Sequence, residues 1–135
     1  MTHVSKNPIE KDVYYQIFYS FNWLLTNLQS EGEMKLFLYD FLTKTERIML
    51  AKRLAVALLV SRGYETKIIT QVLHVSTATV YRVHEWVEHG GKGLSMGFQK
   101  LARHEKMQIF WEKVDKFTDD YFFRPTILPK LSHYK

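Results

Sequence analysis

The side chains of this sequence that are best placed for chemistry lie between Thr66 and Arg82. The stretch is typical of two short helices joined by a tight turn, the second of them rich in small hydroxyl residues. Hydroxyl and basic side chains can bind the phosphates and base edges of DNA, and methyl groups can contact thymine methyls. We therefore predict that these residues contact DNA: Ser76, Thr77, Ala78, Thr79, Tyr81 and Arg82 on the second helix, and Lys67, Thr70 and Gln71 on the first.

The apolar residues of the same stretch have the spacing that two crossing helices need. The inward positions would be held by Ile69, Leu73, Val75, Val80 and Val83. Ser76 can cap the second helix, because its hydroxyl can accept a hydrogen bond from a backbone amide of the first turn. His74 stands where such motifs usually carry glycine, and histidine tolerates a left-handed conformation better than most residues. An ordinary helical hairpin with a polar outer face has the same pattern, so spacing alone leaves that alternative open.

The charge distribution favours an anionic partner for this part of the chain. Residues 44–104 carry ten basic and four acidic side chains, whereas residues 1–43 carry three basic and five acidic ones. A basic surface of this kind attracts the phosphate backbone of DNA. A solvated basic face without a partner would have the same composition, and charge does not separate the two.

The remaining candidate motifs do not support catalysis or metal binding. His84 and His89 resemble two metal ligands on a helix, but their spacing of five residues turns the side chains about 140° apart. Gly90-Gly91-Lys92-Gly93 lacks both the preceding strand and the hydroxyl residue after lysine that a phosphate-binding loop needs. The sequence has no cysteine, which excludes disulfides and thiolate ligands. We therefore predict that the protein is not an enzyme and holds neither a metal nor a cofactor.

Helices must position these residues, since the sequence has no strand-like alternation of useful length. We predict an all-α fold of about six helices: Asp12–Gln29, Glu33–Leu42, Lys44–Arg62, Thr66–Leu73, Ser76–His89 and Gly97–Phe122. Thr43 and Glu46 have the spacing of a capping box at the start of the third helix, and Gly63 is expected to end it. The glycine-rich stretch Gly90–Gly93 is expected to end the regular structure between the last two helices.

The helix predicted over Asp12–Gln29 is apolar on most of its surface. In a chain of 135 residues, such a helix is better buried by a partner chain than by the protein's own core. The longest apolar run, Leu54–Val60, is far shorter than the roughly 20 residues that cross a bilayer. The polar first residues do not have the pattern of a secretion signal, so we expect a soluble protein of the cytoplasm that does not contact membranes.

Three motifs carry a resemblance to a known family. They are Leu42-Thr43-x-x-Glu46-Arg47, Arg62-Gly63, and Ser76-Thr77-Ala78-Thr79-Val80-Tyr81-Arg82-Val83. The last of these lies in the second helix of the two-helix motif, which we call the reader helix because it would contact the DNA bases. From about Tyr14 to Leu94 the chain resembles the Trp repressor superfamily, and within it the short Trp-repressor-like proteins. The resemblance implies an intertwined homodimer that exchanges its N-terminal helices and binds double-stranded DNA. We accordingly divide the chain into a flexible arm (1–11), a helix-turn-helix domain (12–94), and a C-terminal helix with a basic tail that packs on or extends the domain (95–135).

The resemblance also implies where a regulatory ligand would bind. In the Trp repressor, tryptophan is bound by a threonine, two arginines and the reader helix, and the matching positions here are Thr43, Arg53, Arg82, Val83 and Trp86. Thr43, Arg53 and Arg82 are kept, which makes them candidate ligand-binding residues for a small carboxylate. Val83 and Trp86 replace a glycine and a serine, so we expect them to fill the indole site and abolish a response to tryptophan. Arg53 and Arg82 could instead contact DNA phosphates or form ion pairs with Glu46 or Glu85.

These features together favour a sequence-specific transcriptional regulator, expected to be a repressor, that binds a palindromic operator as a homodimer. The alternative is a protein-interaction module, or a DNA-architectural or transposase-like protein, that uses an aromatic C-terminal helix to bind its partner. The aromatic residues concerned are Phe110, Trp111, Phe117, Tyr121, Phe122 and Phe123. We expect them to pack on the domain as an added layer. A small effector or a protein partner of unknown identity is left open.

Overall fold

The computed structural model describes residues 6–122, and this range folds into helices joined by short turns. The helices are α1 (Lys11–Asn27), α2 (Glu31–Phe41), α3 (Lys44–Ser61), α4 (Thr66–Leu73), α5 (Thr77–Glu88), α6 (Lys92–Ala102) and α7 (Met107–Phe122). The all-α prediction is confirmed, with seven helices in the described range instead of about six. The predicted basic tail and Phe123 lie outside the described residues, as do residues 1–5 of the predicted arm.

The start of α3 is a capping box, as its sequence predicts. The backbone N–H of Thr43 donates to Glu46 Oε1 at 2.9 Å, and the backbone N–H of Glu46 donates to Thr43 Oγ1 at 3.1 Å. The bond from the Thr43 backbone stabilises the charged carboxylate and holds the pKa of Glu46 below its ordinary value. Two amides that have no partner within the helix are satisfied in this way.

The end of α3 is the glycine stop that the sequence predicts. Gly63 has a φ of 79°, which a residue with a side chain rarely adopts. Its N–H donates to the carbonyl oxygen of Val60 at 3.0 Å, and the N–H of Tyr64 donates to the carbonyl oxygen of Leu59 at 3.1 Å. This pair of bonds is the Schellman motif, and it directs the chain sharply from α3 towards α4.

The second helix begins two residues earlier than predicted, at Glu31. Ser30 Oγ accepts from the backbone N–H of Glu33 at 3.1 Å, and the Glu33 carboxylate accepts from the backbone N–H of Gln29 at 3.1 Å. These bonds satisfy the amides at the start of the helix and outweigh the low helix propensity of Gly32. Ser30, in the gap between the first two predicted helices, is therefore the N-cap of α2, and Glu31 and Gly32 belong to the first turn of that helix.

The single helix predicted over Gly97–Phe122 is wrong, because two helices occupy this region. α6 ends at Ala102, and α7 begins at Met107 after a turn in which the backbone N–H of Lys106 donates to His104 Nδ1 at 3.1 Å. Leu101 and Met107 are six residues apart, and six residues turn a helix by about 240°. A continuous helix could not bury both side chains on one face. The regular structure is interrupted only briefly before α6, since Gly93 lies within its first turn.

The chain divides between Arg47 and Ile48 into two compact units. The first contains α1, α2 and the first turn of α3, and it has no buried residue in α1 or α2. Its aromatic and aliphatic side chains are largely exposed; Tyr15 is 66% exposed and Leu36 is 71% exposed. Such apolar helices need a further surface to cover them. The predicted intertwined dimer would supply that surface and stays a prediction.

The second unit has a hydrophobic core to which α3, α4, α5 and α7 all contribute. The buried members of this core are Val56, Ala57, Leu59, Tyr64, Ile68, Ile69, Val80, Val83 and Val114. Phe98 of α6 and several aromatic residues of α7 pack against it. Because buried residues of α4 and α5 belong to one cluster, the core fixes the angle at which these two helices cross. The predicted segment boundary between residues 94 and 95 falls within α6, and the division of the chain at that point stays a prediction.

Candidate nucleic-acid interface

A tight turn centred on His74 joins α4 to α5. His74 adopts the left-handed conformation with φ 52° and ψ 54°, and within the described range no other residue apart from glycine has a positive φ. Histidine therefore takes the conformation that such turns usually assign to glycine, as the sequence predicts. Lys52 of α3 holds the turn, because its Nζ donates to the carbonyl oxygen of His74 at 3.2 Å. The lysine also places a positive charge at the negative end of α4.

The start of α5 is capped by Ser76, as predicted. Ser76 Oγ accepts from the backbone N–H of Thr79 at 3.1 Å, and the hydroxyls of Ser76 and Thr79 lie 2.9 Å apart. Thr79 is half-buried. These two hydroxyls thus bind each other and the helix end, and they are less available to a DNA base than their residue types suggest.

The exposed face at the start of α5 consists of Thr77, Ala78 and Tyr81. All three are exposed, and the Tyr81 side chain is 60% exposed. They share one side of the helix because residues one and four positions apart lie within about 100° of each other. The opposite side holds Val80 and Val83, which are 1% and 7% exposed and belong to the core. The structure therefore separates a buried face from a polar outer face on this helix.

On α4, two of the three predicted residues are exposed. Lys67 and Gln71 face solvent, and Lys67 Nζ lies 5.7 Å from the centre of the Tyr121 ring of α7. Thr70 is half-buried, and its hydroxyl donates to the carbonyl oxygen of Lys67 at 2.8 Å within the helix. Lys67 and Gln71 are consequently better placed than Thr70 to reach a DNA backbone.

A cavity of about 650 Å³ lies between α3 and α5. Arg53 and Arg82 line it from the two helices, together with Met49, Val83 and Trp86. Val83 and Trp86 both line this cavity, and their side chains are 7% and 46% exposed. The expectation that they fill the indole site and abolish a response to tryptophan stays a prediction.

Thr43, the remaining residue of the predicted ligand site, has a local partner. Thr43 forms the capping box of α3 in the first unit. Glu46 is its partner there, and Glu85 lies 3.8 Å from His89 in an exposed pair. Ion pairs from Arg53 or Arg82 to these two glutamates are one alternative to ligand or DNA binding, and none of the ion pairs of residues 6–122 joins either arginine to either glutamate.

The sequence predicts that the C-terminal helix packs on the domain, but it does not indicate which residues of α7 contact the segment before α4. Tyr64, two residues before α4, donates its hydroxyl to Asp115 Oδ1 at 2.6 Å, and its ring stacks on Trp111 at a centroid distance of 6.0 Å. The Arg62 guanidinium lies 3.9 Å from the centre of the Trp111 ring. Burial raises the pKa of the Tyr64 hydroxyl, and the bond to Asp115 raises it further. The phenol is consequently a neutral hydrogen-bond donor at any physiological pH.

No local signal could have found this contact, because Tyr64 and Asp115 are 51 residues apart. Val114 and Thr118, on the same side of α7, are 3% and 4% exposed. Thr118 satisfies its hydroxyl by donating to the carbonyl oxygen of Val114 at 3.0 Å. The helix that carries the aromatic C-terminal residues therefore packs on α4, the first helix of the two-helix motif.

The geometry of α4 and α5 is that of a helix-turn-helix DNA-binding protein. A short first helix, a left-handed turn and a capped second helix with an exposed polar face lie on the basic part of the chain. The family model described as Trp repressor protein matches residues 17–102, and the chain belongs to this family of DNA-binding regulators. The match begins within α1 and ends with α6, so α7 lies beyond it. The comparisons with curated proteins and with solved structures gave no match.

The histidines of α5 form no metal site in the part of the chain that the structure describes. His84 and His89 lie near Glu88 and Glu85, at 3.6 Å and 3.8 Å, as separate exposed pairs on α5. Residues 6–122 contain no group of three or more histidine, aspartate or glutamate side chains that could hold a metal ion. None of the helices described above has the length and apolar character needed to span a membrane.

Proposed function

We propose that the protein is a sequence-specific transcriptional regulator, a repressor, that binds a palindromic operator as a homodimer. The observation that carries this proposal is the outer face of α5, where Thr77, Ala78 and Tyr81 are exposed at the start of a helix capped by Ser76. A second helix of this kind enters the major groove with its N-terminal residues at the base edges, while the first helix crosses the DNA backbone. The family supports the DNA-binding class.

The predicted contact residues divide by what their side chains can reach. In the proposed complex, Thr77, Ala78 and Tyr81 contact bases, while Lys67, Gln71 and Arg82 bind phosphates. Ser76, Thr79 and Thr70 act mainly within the protein, because each uses its hydroxyl in a bond to its own helix or helix end. The proposal thereby assigns sequence preference to fewer residues than the sequence predicted.

The homodimer is supported by the apolar surface of the first unit. Tyr15, Tyr19 and Trp23 follow one another at helical spacing on α1 and are 66%, 55% and 55% exposed. A second copy of the chain that exchanges its first helices would bury such side chains, at about 25 cal/mol for each Å² of apolar surface. Two reader helices related by a two-fold axis would then fit half-sites about one helical turn apart.

We further propose that tryptophan is not the effector, because Val83 and Trp86 stand where the resemblance places a glycine and a serine. The cavity beside them remains open, and Arg53 and Arg82 on its wall could bind another small carboxylate. Isothermal titration with tryptophan tests the first statement. Saturable binding at micromolar concentration would contradict it, whereas binding of a different carboxylate would identify an effector class.

Selection of bound sequences from a random DNA library tests the main proposal. The full chain should enrich a palindromic consensus at about 150 mM salt, and affinity for that consensus should fall steeply as salt rises. The comparison variant is the Thr77→Ala, Tyr81→Ala double variant, which loses the proposed base contacts but keeps the charge and the buried face of α5. This variant should lose the enrichment and stay folded. Absence of enrichment by the unaltered chain would overturn the proposal.

The alternative function, a protein-interaction module built on aromatic residues of the C-terminal helix, finds less support. Phe110, Trp111, Tyr121 and Phe122 pack against the core of the second unit. Ring faces that are packed in this way are not available to a partner protein. A library selection without enrichment would nevertheless favour this alternative over DNA recognition.

A further inference from the structure

α4, the first helix of the helix-turn-helix, is held at both of its ends by other helices. α4 has eight residues, which is too short for a helix to keep its own direction without tertiary contacts. At its C-terminal end, Lys52 of α3 bonds to the His74 carbonyl oxygen at 3.2 Å. Just before its N-terminal end, Tyr64 bonds to Asp115 of α7 at 2.6 Å. The direction of α4 is therefore set by α3 at one end and by α7 at the other.

The contacts at the N-terminal end involve more than one bond. The Tyr64 ring is 5% exposed and stacks on Trp111 with an angle of 9° between the ring planes. The Arg62 guanidinium covers the Trp111 ring, at 3.9 Å from its centre. A tyrosine held by stacking and by a bond to a carboxylate has little freedom to shift, and the residues that follow it begin α4.

α7 also reaches the exposed side of α4. The Tyr121 ring lies 5.7 Å from Lys67 Nζ, so the ring lies beside the lysine that is proposed to bind a DNA phosphate. α7 thus contacts both the segment that precedes α4 and the Lys67 side chain in the first turn of α4. The family match ends at residue 102, before α7 begins at Met107.

We propose that α7 takes part in DNA recognition through the helix-turn-helix. Tyr64 and Asp115 are positioning residues: they set the angle of α4, and this angle determines where Lys67 and Gln71 meet the DNA backbone. The proposal rests on the proposed function. A helix that crosses the backbone at a changed angle would lose phosphate contacts and would misplace α5 in the groove, since α4 and α5 share one core. A purely stabilising α7 would affect unfolding and leave the affinity of the folded protein unchanged.

The test compares full-length variants on the operator that the library selection supplies. Tyr64→Phe removes the hydroxyl but keeps the ring, and Asp115→Ala removes the acceptor. Asp120→Ala is the matched control, because Asp120 is an exposed carboxylate on the outward side of the same helix. Affinity for DNA is measured well below the unfolding temperature of each variant. Circular dichroism should show that each variant has the same helix content as the unaltered protein. The affinity for unrelated DNA is measured alongside, so that a ratio of specific to non-specific binding is obtained.

Tyr64→Phe and Asp115→Ala should each weaken operator binding by roughly two- to thirtyfold and lower the ratio of specific to non-specific binding, while Asp120→Ala should change neither. The double variant should bind about as weakly as either single one, since both remove the same bond. Unchanged operator affinity in folded variants, an equal loss in Asp120→Ala, or additive losses would overturn the inference. If the unaltered chain selects no operator, the proposed function is contradicted and the role of α7 is not addressed. Failure of the proposed function is therefore distinguishable from failure of this inference.

Discussion

Replacing Lys67 by alanine should weaken the salt dependence of operator binding without changing the preferred sequence. Lys67 is exposed on α4, and its Nζ lies 5.7 Å from the centre of the Tyr121 ring. From this position the ammonium group can reach a phosphate at the edge of the groove, where it would carry no base information. Each phosphate contact releases condensed counterions and contributes about 0.9 to the slope of log K against log salt concentration.

The size of the effect follows from the proposed dimer. A homodimer loses one phosphate contact from each protomer, so the slope should decrease by about 1.8. Between about 50 and 200 mM salt the concentration rises fourfold, and the affinity lost over that range should become roughly twelvefold smaller than in the unaltered protein. A decrease of only about 0.9 would indicate that a single protomer contacts the DNA.

Fluorescence anisotropy with a labelled operator, measured across that salt range, gives the slope directly. Lys116→Ala is the matched control, because it removes an exposed lysine of α7 and changes the net charge equally. The control should leave the slope unchanged. An unchanged slope for Lys67→Ala, or an equal decrease for both variants, would refute the assignment of Lys67 to the DNA backbone.

Three further predictions concern the reader helix, the core and the first capping box. Thr77→Ala should change the bases selected at one position of each half-site, with about 1–3 kcal/mol of discrimination, and an unaltered consensus in a repeated library selection would contradict this. Ile69→Ala removes a side chain that is 1% exposed, and the free energy of unfolding in a denaturant titration should fall by about 2–5 kcal/mol. Glu46→Gln should flatten the dependence of the thermal midpoint on pH. The backbone N–H of Thr43 holds the pKa of Glu46 below its ordinary 4.5, so the stabilisation is present above that pH and is lost as the pH falls through the lowered pKa. Parallel curves for the two proteins would argue against this last prediction.

Much of the fold could be predicted because the signals for it are local. The capping box of Thr43 and Glu46, the stop at Gly63 and the cap at Ser76 each depend on residues within five positions of one another. The bonds that define these features form between neighbours in the chain, so residue type and spacing are sufficient to place them. The left-handed turn at His74 belongs to the same group.

The rest could not be predicted because it depends on residues that are distant in sequence. Tyr64 and Asp115 are 51 residues apart in the sequence, and neither residue type predicts which residue will be its hydrogen-bond partner. The break between α6 and α7 was missed for a related reason: apolar residues continue on both sides of it, and only the six-residue gap from Leu101 to Met107 marks the change of phase. The open cavity beside Arg82 depends on side-chain direction, which spacing does not specify.

The hydroxyl residues at the start of α5 show why residue type alone overestimates a DNA-contacting surface. Ser76, Thr77 and Thr79 are chemically equivalent candidates for base contacts, and they follow one another within four positions. The first and last bind each other at 2.9 Å and cap the helix, so a base that used either hydroxyl would have to compete with the cap. Loss of a serine cap costs about 1 kcal/mol, which is comparable to what one base contact contributes. Sequence preference should therefore depend on Thr77 and its exposed neighbours Ala78 and Tyr81, while the capping pair determines whether the helix that presents them forms.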